Sequence, residues 1–423
     1  MDESTDSFPP SRDRENDNDN DDDDGGGRTY RSWVRGDIPH LSPHPRSWRP
    51  TDRCRAFDEF GYVRIPKFAS TSEVMSMRIE MERMVEDEWR PSLLSSSSME
   101  GDGEVDDDGM GGGTGGDGGG RGVGVTVFRT DSGQVNAQGR SDYFLDSASA
   151  VHYFAEVDAV DPNTGYLRDE YVIPGGKLRA LNKAGHGLHL RRGPFQEYST
   201  SSKVVSLLIE LGYVDPILPQ SMYIFKQATK AGGRGGEVTS HQDSTFLYTE
   251  PRQTCVGLWL ALDDATIENG CLWVRPGSHT EGLRRRFVRN PRHFGNSPSY
   301  VGDDNDDDAG GGDRSEPQIV FRNLIDDDEY GGVTWEGGLP ENSLPMPECT
   351  GLHDAGFVPL TCEAGDLLVF AGTLDHLSLP NYSTGARHTF QLHCVEGERA
   401  GITWSRENWL QYPPGVSFVR LVG

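Results

Sequence analysis

The sequence predicts a mainly β domain with flanking helices, folded as a sandwich or a closed jelly-roll barrel. Several short runs are rich in β-branched and aromatic residues, and Gly, Pro and Asp turns bound each of them. No helical pattern separates most of these runs, which favours a sandwich or jelly roll. The predicted strands span residues 221–226, 255–262, 270–274, 366–370 and 388–393.

Helices are predicted on the N-terminal side of these strands. Residues 57–65 read as the end of a helix that runs into a strand, and Ser70 with Glu73 forms a capping-box pattern. Apolar residues then recur at helical spacing as far as Trp89, so the methionines among them are expected to pack in a core. A further helix is expected over 204–211, and Pro216 and Pro219 are expected to end it.

The acidic residues are concentrated in a few segments. The formal charge is −27, of which residues 1–24 contribute −9, 100–120 contribute −7, 302–316 contribute −6 and 326–329 contribute −4. We therefore expect a disordered acidic tail over 1–50 and a single domain over 51–423, with flexible acidic insertions at about 92–122 and 302–316. The remainder is nearly neutral, which argues against a nucleic-acid partner and against docking on an anionic membrane.

The cysteines, the apolar stretches and the chain ends lead to expectations about thiol state, membrane insertion and compartment. The six cysteines form no CxxC pair, so reduced thiols are expected rather than a zinc framework or a disulfide scaffold. No run of about 18 apolar residues is present, which predicts no membrane span. The first residues carry no signal-peptide pattern and the last three are not a peroxisomal tripeptide, so the cytoplasm is the default expectation. We expect a monomer that acts on a small molecule.

A candidate metal site is formed by His241, Asp243 and His376. If 241–243 lie on a strand, an imidazole and a carboxylate two residues apart point to the same face. His376 follows another predicted strand and could supply a third ligand. Two histidines and one carboxylate that leave positions open are the facial triad of non-haem Fe(II) oxygenases.

The spacing of His241 and Asp243 alone is not specific. At this acid content, twelve histidines give about two His-x-acid patterns by chance, and the chain has two, the second being His279 with Glu281. The placement between strands and the presence of Arg387 eleven residues after His376 add weight, because an arginine there could bind a dicarboxylate. The residues alone leave structural histidines as an equal alternative.

Longer stretches resemble the phytanoyl-CoA dioxygenase family from Phe57 onward, insertions excluded. They lie at 181–189, 220–227, 241–251, 268–273, 276–279 and 403–411. The resemblance implies a cupin-like, double-stranded β-helix fold with Fe(II) bound by His241, Asp243 and His376. It also implies that 2-oxoglutarate contacts fall on Lys183, Met222, Trp259, Ser378 and Arg387.

The activity implied by the resemblance is that of an Fe(II)- and 2-oxoglutarate-dependent dioxygenase. Such an enzyme would use O₂ to hydroxylate a C–H bond of a small or lipid-like substrate, with succinate and CO₂ as co-products and ascorbate as a supporting reductant. The carboxylate of Asp243 favours hydroxylation, because related halogenases have a small residue there to admit chloride. A non-catalytic cupin-like binding protein and a cupin-type isomerase or zinc enzyme remain alternatives. The nearly neutral core argues against phytanoyl-CoA itself.

The other polar residues near these motifs have structural interpretations. His279 is expected to cap a turn, and His186 and His189 could either line the pocket or pack structurally. Lys226, at a strand end, is expected to be solvated. No partner can be assigned in the sequence to the remaining histidines, and we expect them to be satisfied in the core or on the surface: His353, His388 and His393.

Overall fold

Antiparallel strands form the body of the protein. The structure is a computed structural model that describes residues 51–91, 125–130, 133–229, 236–295, 312–324 and 350–423. The predicted tail over 1–50 and the whole of the predicted insertion at 92–122 lie outside these ranges, as do residues 302–311 of the second insertion. The single-domain assignment for 51–423 therefore stays a prediction.

The larger sheet has eight strands and forms one wall of the barrel. Seven of them run in the order β1-β12-β7-β14-β4-β3-β2, and β16 pairs with β4 off this path. Their bounds are Tyr62–Ile65 (β1), Val151–Ala155 (β2), Leu181–His186 (β3), Pro216–Ile224 (β4), Val256–Ala261 (β7), Leu367–Ala371 (β12), Thr389–Glu396 (β14) and Val419–Arg420 (β16).

A smaller sheet of four strands faces the larger one. Its order is β11-β8-β13-β5, with β5 at Val238–His241, β8 at Leu272–Val274, β11 at Val358–Leu360 and β13 at His376–Ser378. Two separate pairs complete the strands: β6 (Thr249–Glu250) with β15 (Thr403–Trp404), and β9 (Arg285–Arg289) with β10 (Ile319–Asn323). Two facing antiparallel sheets confirm the predicted jelly-roll class.

Ten α-helices flank the sheets within the described ranges. Their bounds are Asp52–Phe60 (α1), Thr71–Glu88 (α2), Gln134–Ala137 (α3), Asp142–Asp146 (α4), Asp169–Val172 (α5), Lys177–Ala180 (α6), Pro194–Ser199 (α7), Ser202–Glu210 (α8), Pro291–Phe294 (α9) and Thr350–Asp354 (α10). The capping box of Ser70 and Glu73 is present at the start of α2. The buried face of α2 includes Met77, Met81 and Met84, which confirms the prediction of core packing.

Strand β4 begins earlier than the sequence indicates. We expected Pro216 and Pro219 to lie between a helix and a strand that begins at Ser221, but both prolines lie inside β4. The pairing of β4 with β14 shifts register between His393 and Val395, so Pro219 sits opposite an irregularity. A bulge tolerates proline because the missing N–H is not needed there. The prediction was wrong by five residues at this end.

The core lies between the two sheets and under α2. Its largest fully buried side chains include Trp259, Trp273 and Phe390. The five described cysteines are buried, and none forms a disulfide: Cys54, Cys255, Cys271, Cys362 and Cys394. No helix in the described part of the chain is long and apolar enough to cross a bilayer.

Candidate active site

The structure brings His241, Asp243 and His376 together at one end of the smaller sheet. His241 ends β5 and His376 begins β13, and the two residues are direct partners in the ladder, with ring centroids 4.1 Å apart. The Oδ1 atom of Asp243 lies 3.5 Å from Nε2 of His241 and 3.6 Å from Nε2 of His376. One potential ligand atom from each residue lies within 4.8 Å of the others.

Asp243 is not on the strand, contrary to the sequence-based expectation. It begins a 3₁₀ turn over Asp243–Thr245, because β5 ends with the pair of His241 and His376. In this turn Ser244 donates its backbone N–H to the carbonyl of Gly372, which fixes the loop against the end of β12. The carboxylate therefore reaches the two imidazoles from a turn and not through strand alternation.

The hydrogen bonds of both imidazoles fix the atoms that face the carboxylate. Nδ1 of His241 lies 2.9 Å from the carbonyl of Thr239, and Nδ1 of His376 lies 3.0 Å from that of Leu374. A carbonyl only accepts, so each Nδ1 carries the proton and each Nε2 presents a lone pair. Burial lowers the pKa of His376 to about 4, which keeps this ring neutral at physiological pH.

The third member of the group is an ionised carboxylate. Burial by itself raises the pKa of Asp243, but the facing imidazoles of His393 and His376 outweigh that effect and hold the pKa well below its usual value. Two imidazoles and one carboxylate are the donor set that ferrous iron takes in facial-triad oxygenases. The residues present therefore fit an Fe(II) ion.

His393 is a site residue that the sequence analysis missed. We expected it to be satisfied in the core or on the surface, but it is buried on β14 with Nε2 3.1 Å from Oδ2 of Asp243. Its donor role orients the carboxylate from the opposite sheet. The sequence gives no signal for this contact, because it depends on how the two sheets face each other.

A cavity of about 1200 Å³, counted out to its open mouth, adjoins the three residues. All five residues expected to contact 2-oxoglutarate line it: Lys183, Met222, Trp259, Ser378 and Arg387. Aromatic side chains form much of the remaining wall, including Phe128, Phe144, Phe246 and Trp409.

Arg387 presents unpaired donors to this cavity. One nitrogen, Nη2, donates to the carbonyl of Gly270 at 2.7 Å and lies 3.4 Å from Oγ of Ser378. Nε has no hydrogen-bond partner among the described residues, although it is fully buried. The guanidinium carbon lies 5.1 Å from the ring centre of Trp259. Burial lowers the pKa of Arg387 to about 10, so the group stays charged at neutral pH and fits a carboxylate.

Lys183 is a second buried cation in the cavity wall. Its Nζ lies 3.5 Å from the sulfur of Met222 and 3.6 Å from the ring centre of Phe128. Within the described ranges no carboxylate forms an ion pair with it. Burial lowers the pKa of Lys183 well below its ordinary value. A dianionic co-substrate would supply the negative charge that this position lacks.

Two further cavity residues differ from the sequence-based interpretation or were not part of it. Lys226 was expected to be solvated, but it is 1% exposed, lines the cavity and donates from Nζ to the carbonyl of Gly236. Gln391 also lines the cavity, and it pairs in register with Met222 on one side and with Trp259 on the other. The position of Gln391 in the cavity wall depends on the strand register, so the sequence alone did not predict it.

The remaining histidines divide between the cavity and the core. His279 was expected to cap a turn, and the structure instead places its Nε2 3.1 Å from the carbonyl of Asp58 in α1. His189 bonds to Ser221 through Nδ1, which is the structural alternative for this residue. His186 lines the cavity and also bonds to Ser147 through Nδ1, so both interpretations apply to it.

Comparisons with known proteins place the chain in a family. The family model described as Phytanoyl-CoA dioxygenase (PhyH) matches residues 57–389. Phytanoyl-CoA dioxygenase domain-containing protein 1 from Mus musculus is 36% identical over 294 residues, which cover 69% of this chain and 81% of the relative. Phytanoyl-CoA dioxygenase 1 from Oryza sativa subsp. japonica is 34% identical over 363 residues, which cover 85% of this chain and 93% of the relative.

A solved structure with a similar fold is that of the non-heme alpha ketoglutarate dependent epimerase SnoN from nogalamycin biosynthesis. It has a TM-score of 0.45 and 13% identity, and the match covers 88% of this chain and 97% of that chain. The family assignment depends instead on the family model, which spans most of the chain, and on the sequence relatives above 30% identity. This chain belongs to the phytanoyl-CoA dioxygenase family and is a 2-oxoglutarate-dependent oxygenase.

Proposed function

We propose that this enzyme hydroxylates a C–H bond of a small or lipid-like substrate, consuming O₂ and 2-oxoglutarate and releasing succinate and CO₂. The observation that carries the proposal is the arrangement of one cavity. It has the His241, Asp243 and His376 group at its wall and the unpaired donors of Arg387 on the same lining.

The metal ligands in this proposal are His241, Asp243 and His376. Ferrous iron held there would supply the oxidising chemistry, in which the co-substrate is decarboxylated and one oxygen atom enters the C–H bond. The protein's own contribution is to orient both imidazoles through their Nδ1 hydrogen bonds, to keep the carboxylate charged and to hold all three ligand atoms on one face. Because Asp243 occupies the third protein position, we propose hydroxylation and not halogenation.

Arg387 and Ser378 would bind the distal carboxylate of 2-oxoglutarate. The carbonyl of Gly270 accepts from both side chains, at 2.7 Å from Arg387 and 2.8 Å from Ser378, which leaves the other guanidinium nitrogens to point at the ligand. Met222 and Trp259 would exclude water from its carbon chain, and Lys183 would compensate its second charge.

The test is turnover of 2-oxoglutarate by the full chain. The protein is purified without metal, loaded with Fe(II) under nitrogen and then exposed to O₂ with ascorbate, and succinate is measured against time. We expect slow succinate formation even without the prime substrate, and none in His376→Ala. The matched control is His353→Ala, since that histidine is exposed on α10, outside the cavity.

Two other outcomes would replace the proposal. Thermal stabilisation by 2-oxoglutarate that disappears in Arg387→Ala, without any succinate from the iron-loaded wild type, would indicate a non-catalytic binding protein. Retention of zinc by the wild type, with activity or binding independent of the keto acid, would indicate an isomerase or zinc enzyme.

A further inference from the structure

Three glutamine side chains project into the cavity without protein partners. Gln134, Gln220 and Gln391 all line it, and none of the three side chains forms a hydrogen bond with another residue that the structure describes. Gln134 is 7% exposed and Gln220 is 5% exposed, so the small accessible part of each residue lies at the cavity. Each carboxamide offers two donors and an acceptor to whatever occupies the cavity.

Two carboxamides buried outside the cavity donate to backbone carbonyls. Gln138, one turn beyond Gln134, donates to the carbonyl of Arg129 at 2.7 Å, although its Oε1 has no partner among the described residues. Gln242, next to His241, donates to the carbonyls of Gly282 and Thr373. A buried polar group without a partner loses its hydration and gains nothing in return. The cavity glutamines have no such protein partner, so their donors and acceptors are available to a ligand that enters the cavity.

Strand register places Gln220 at the level of the metal ligands. Gln220 on β4 is the direct partner of His393 on β14, and His393 contacts Asp243. Two residues along the same strands, Met222 pairs with Gln391, and the strands continue from there toward Arg387. Alternate residues share a face, so Gln220 lies one inward position beyond Met222 on the side away from Arg387. In the proposed function, the distal carboxylate of 2-oxoglutarate would lie at the opposite end of the cavity, beside Arg387.

Gln134 approaches the same region from the side of the segment 125–130. Thr239 donates its hydroxyl to the carbonyl of Thr130 at 2.6 Å, and the carbonyl of Thr239 accepts from His241. This links the segment to a metal ligand, and α3 begins four residues after Thr130. Phe144 and Trp409, stacked 4.3 Å apart, form an apolar wall of the same cavity.

We propose that the prime substrate is a compact neutral molecule with an apolar frame and hydroxyl or amide groups. This inference rests on the proposed function, since it assigns the part of the cavity that 2-oxoglutarate would leave open. Hydroxyl and amide groups both donate and accept, so they match a carboxamide. A saturated acyl chain would cover Gln134 and Gln220 without pairing them, which makes a fatty acyl thioester a poor occupant.

The experiment uses the full chain loaded with Zn(II) and 2-oxoglutarate, so that no turnover consumes the probes. Binding of trans-cyclohexane-1,2-diol and of δ-valerolactam is measured by saturation-transfer NMR, beside 1,2-dimethoxycyclohexane and N-methylvalerolactam. We expect the diol, the lactam or both to bind at least about tenfold more tightly than the methylated counterpart. Octanoyl-CoA is expected not to displace the bound probe. Equal binding within both pairs, no binding of either polar probe, or displacement by octanoyl-CoA would overturn the proposal.

Near-isosteric leucine variants locate the effect. Gln134→Leu and Gln220→Leu are expected to lose the preference for the polar probe, because leucine has nearly the size of glutamine but no donor or acceptor. Gln138→Leu is expected to keep the preference, because Gln138 does not line the cavity. If Gln138→Leu does not fold, the proposal is tested by comparing each polar probe with its methylated counterpart in the wild type. An unchanged preference in both cavity variants would contradict the proposal.

The two proposals fail in different ways. Loss of succinate formation and of 2-oxoglutarate binding in the wild type would remove the proposed function. Normal turnover of 2-oxoglutarate with no discrimination between each probe and its methylated counterpart would leave the proposed function intact and overturn only the substrate class.

Discussion

Nε2 of His393 lies 3.1 Å from Oδ2 of Asp243, while the other oxygen of that carboxylate faces His241 and His376. The two oxygens therefore have different partners. His393 belongs to the larger sheet, and the three candidate ligands belong to the end of the smaller sheet and its following turn. This contact joins the two walls of the barrel at the metal site and holds the carboxylate in one orientation.

Removal of this contact is expected to weaken metal binding. His393→Phe keeps a ring in the core but removes the donor, so Fe(II) affinity should fall about 10–100-fold. His393→Gln can still donate to Oδ2 and should recover part of the affinity. The measurement is competition for Fe(II) against a chromophoric chelator under nitrogen. Equal loss in both variants would indicate that His393 acts through packing alone.

Position 257, beside Asp243, is expected to tolerate no residue larger than glycine. A Cβ atom on Gly257 would lie 2.6 Å from the Phe370 ring and 3.2 Å from Oδ2 of Asp243. Gly257→Ala should therefore displace the ring or the carboxylate and reduce Fe(II) binding. Gly385→Ala is the control, since a Cβ there meets no atom within 4 Å. Wild-type iron affinity in Gly257→Ala would contradict this prediction.

Substitution of Arg387 is expected to affect 2-oxoglutarate more than iron. Arg387→Lys keeps the charge but loses the forked donors, so the KM for 2-oxoglutarate should rise, and Arg387→Met should cost about 2–5 kcal/mol of binding. Iron affinity measured without the keto acid should stay near the wild-type value. Arg322→Lys, an exposed arginine paired with Glu407, serves as control. An unchanged KM in Arg387→Lys would contradict the role given to Arg387.

Binding of 2-oxoglutarate is expected to take up a proton at Lys183. Burial holds the pKa of this lysine well below 10.5 in the free protein, and a nearby dianion would raise it again. Affinity should then fall as the pH rises through the range between the two pKa values. Calorimetry at pH 8 in buffers of different ionisation enthalpy measures the uptake directly. It should disappear in Lys183→Met, and its presence there would assign the proton to another group.

The same burial has a consequence for stability. The folded pKa of Lys183 lies below its unfolded value, so unfolding takes up a proton at any pH between the two, and the buried lysine destabilises the fold there. Lys183→Met should therefore raise the Tm of the ligand-free protein at pH 7. A lower Tm would mean that the contacts of Lys183 with Met222 and Phe128 stabilise the fold more than burial of the amine destabilises it.

The sequence predicts the parts of this structure that depend on local patterns. The capping box at Ser70 and Glu73 and the apolar face of α2 are local, and both are present. The early start of β4 is not local, since Pro216 is the first residue of the strand and Pro219 lies opposite the register shift of β14. A proline is a reliable breaker only where the partner strand needs its N–H.

In the candidate site, too, some features follow from local sequence and others depend on how the strands pair. The grouping of His241, Asp243 and His376 was expected, although Asp243 reaches the group from a turn. The positions of His393 and Gln391 depend on which strands are neighbours and in what register, and one sequence does not give that information. Lys226 is the second residue after the end of β4 and was expected in solvent, but it is buried and donates to the carbonyl of Gly236.

The central claim is that Fe(II) and 2-oxoglutarate meet on the three ligands beside Arg387. An anaerobic titration of the Fe(II)-loaded full chain with 2-oxoglutarate tests it most directly, by the visible charge-transfer absorption of a keto acid chelated to ferrous iron. The account predicts a band that saturates at one equivalent in the wild type, is absent in His376→Ala and needs much more 2-oxoglutarate in Arg387→Met. No band in iron-loaded wild type, or the same titration in all three proteins, would contradict it.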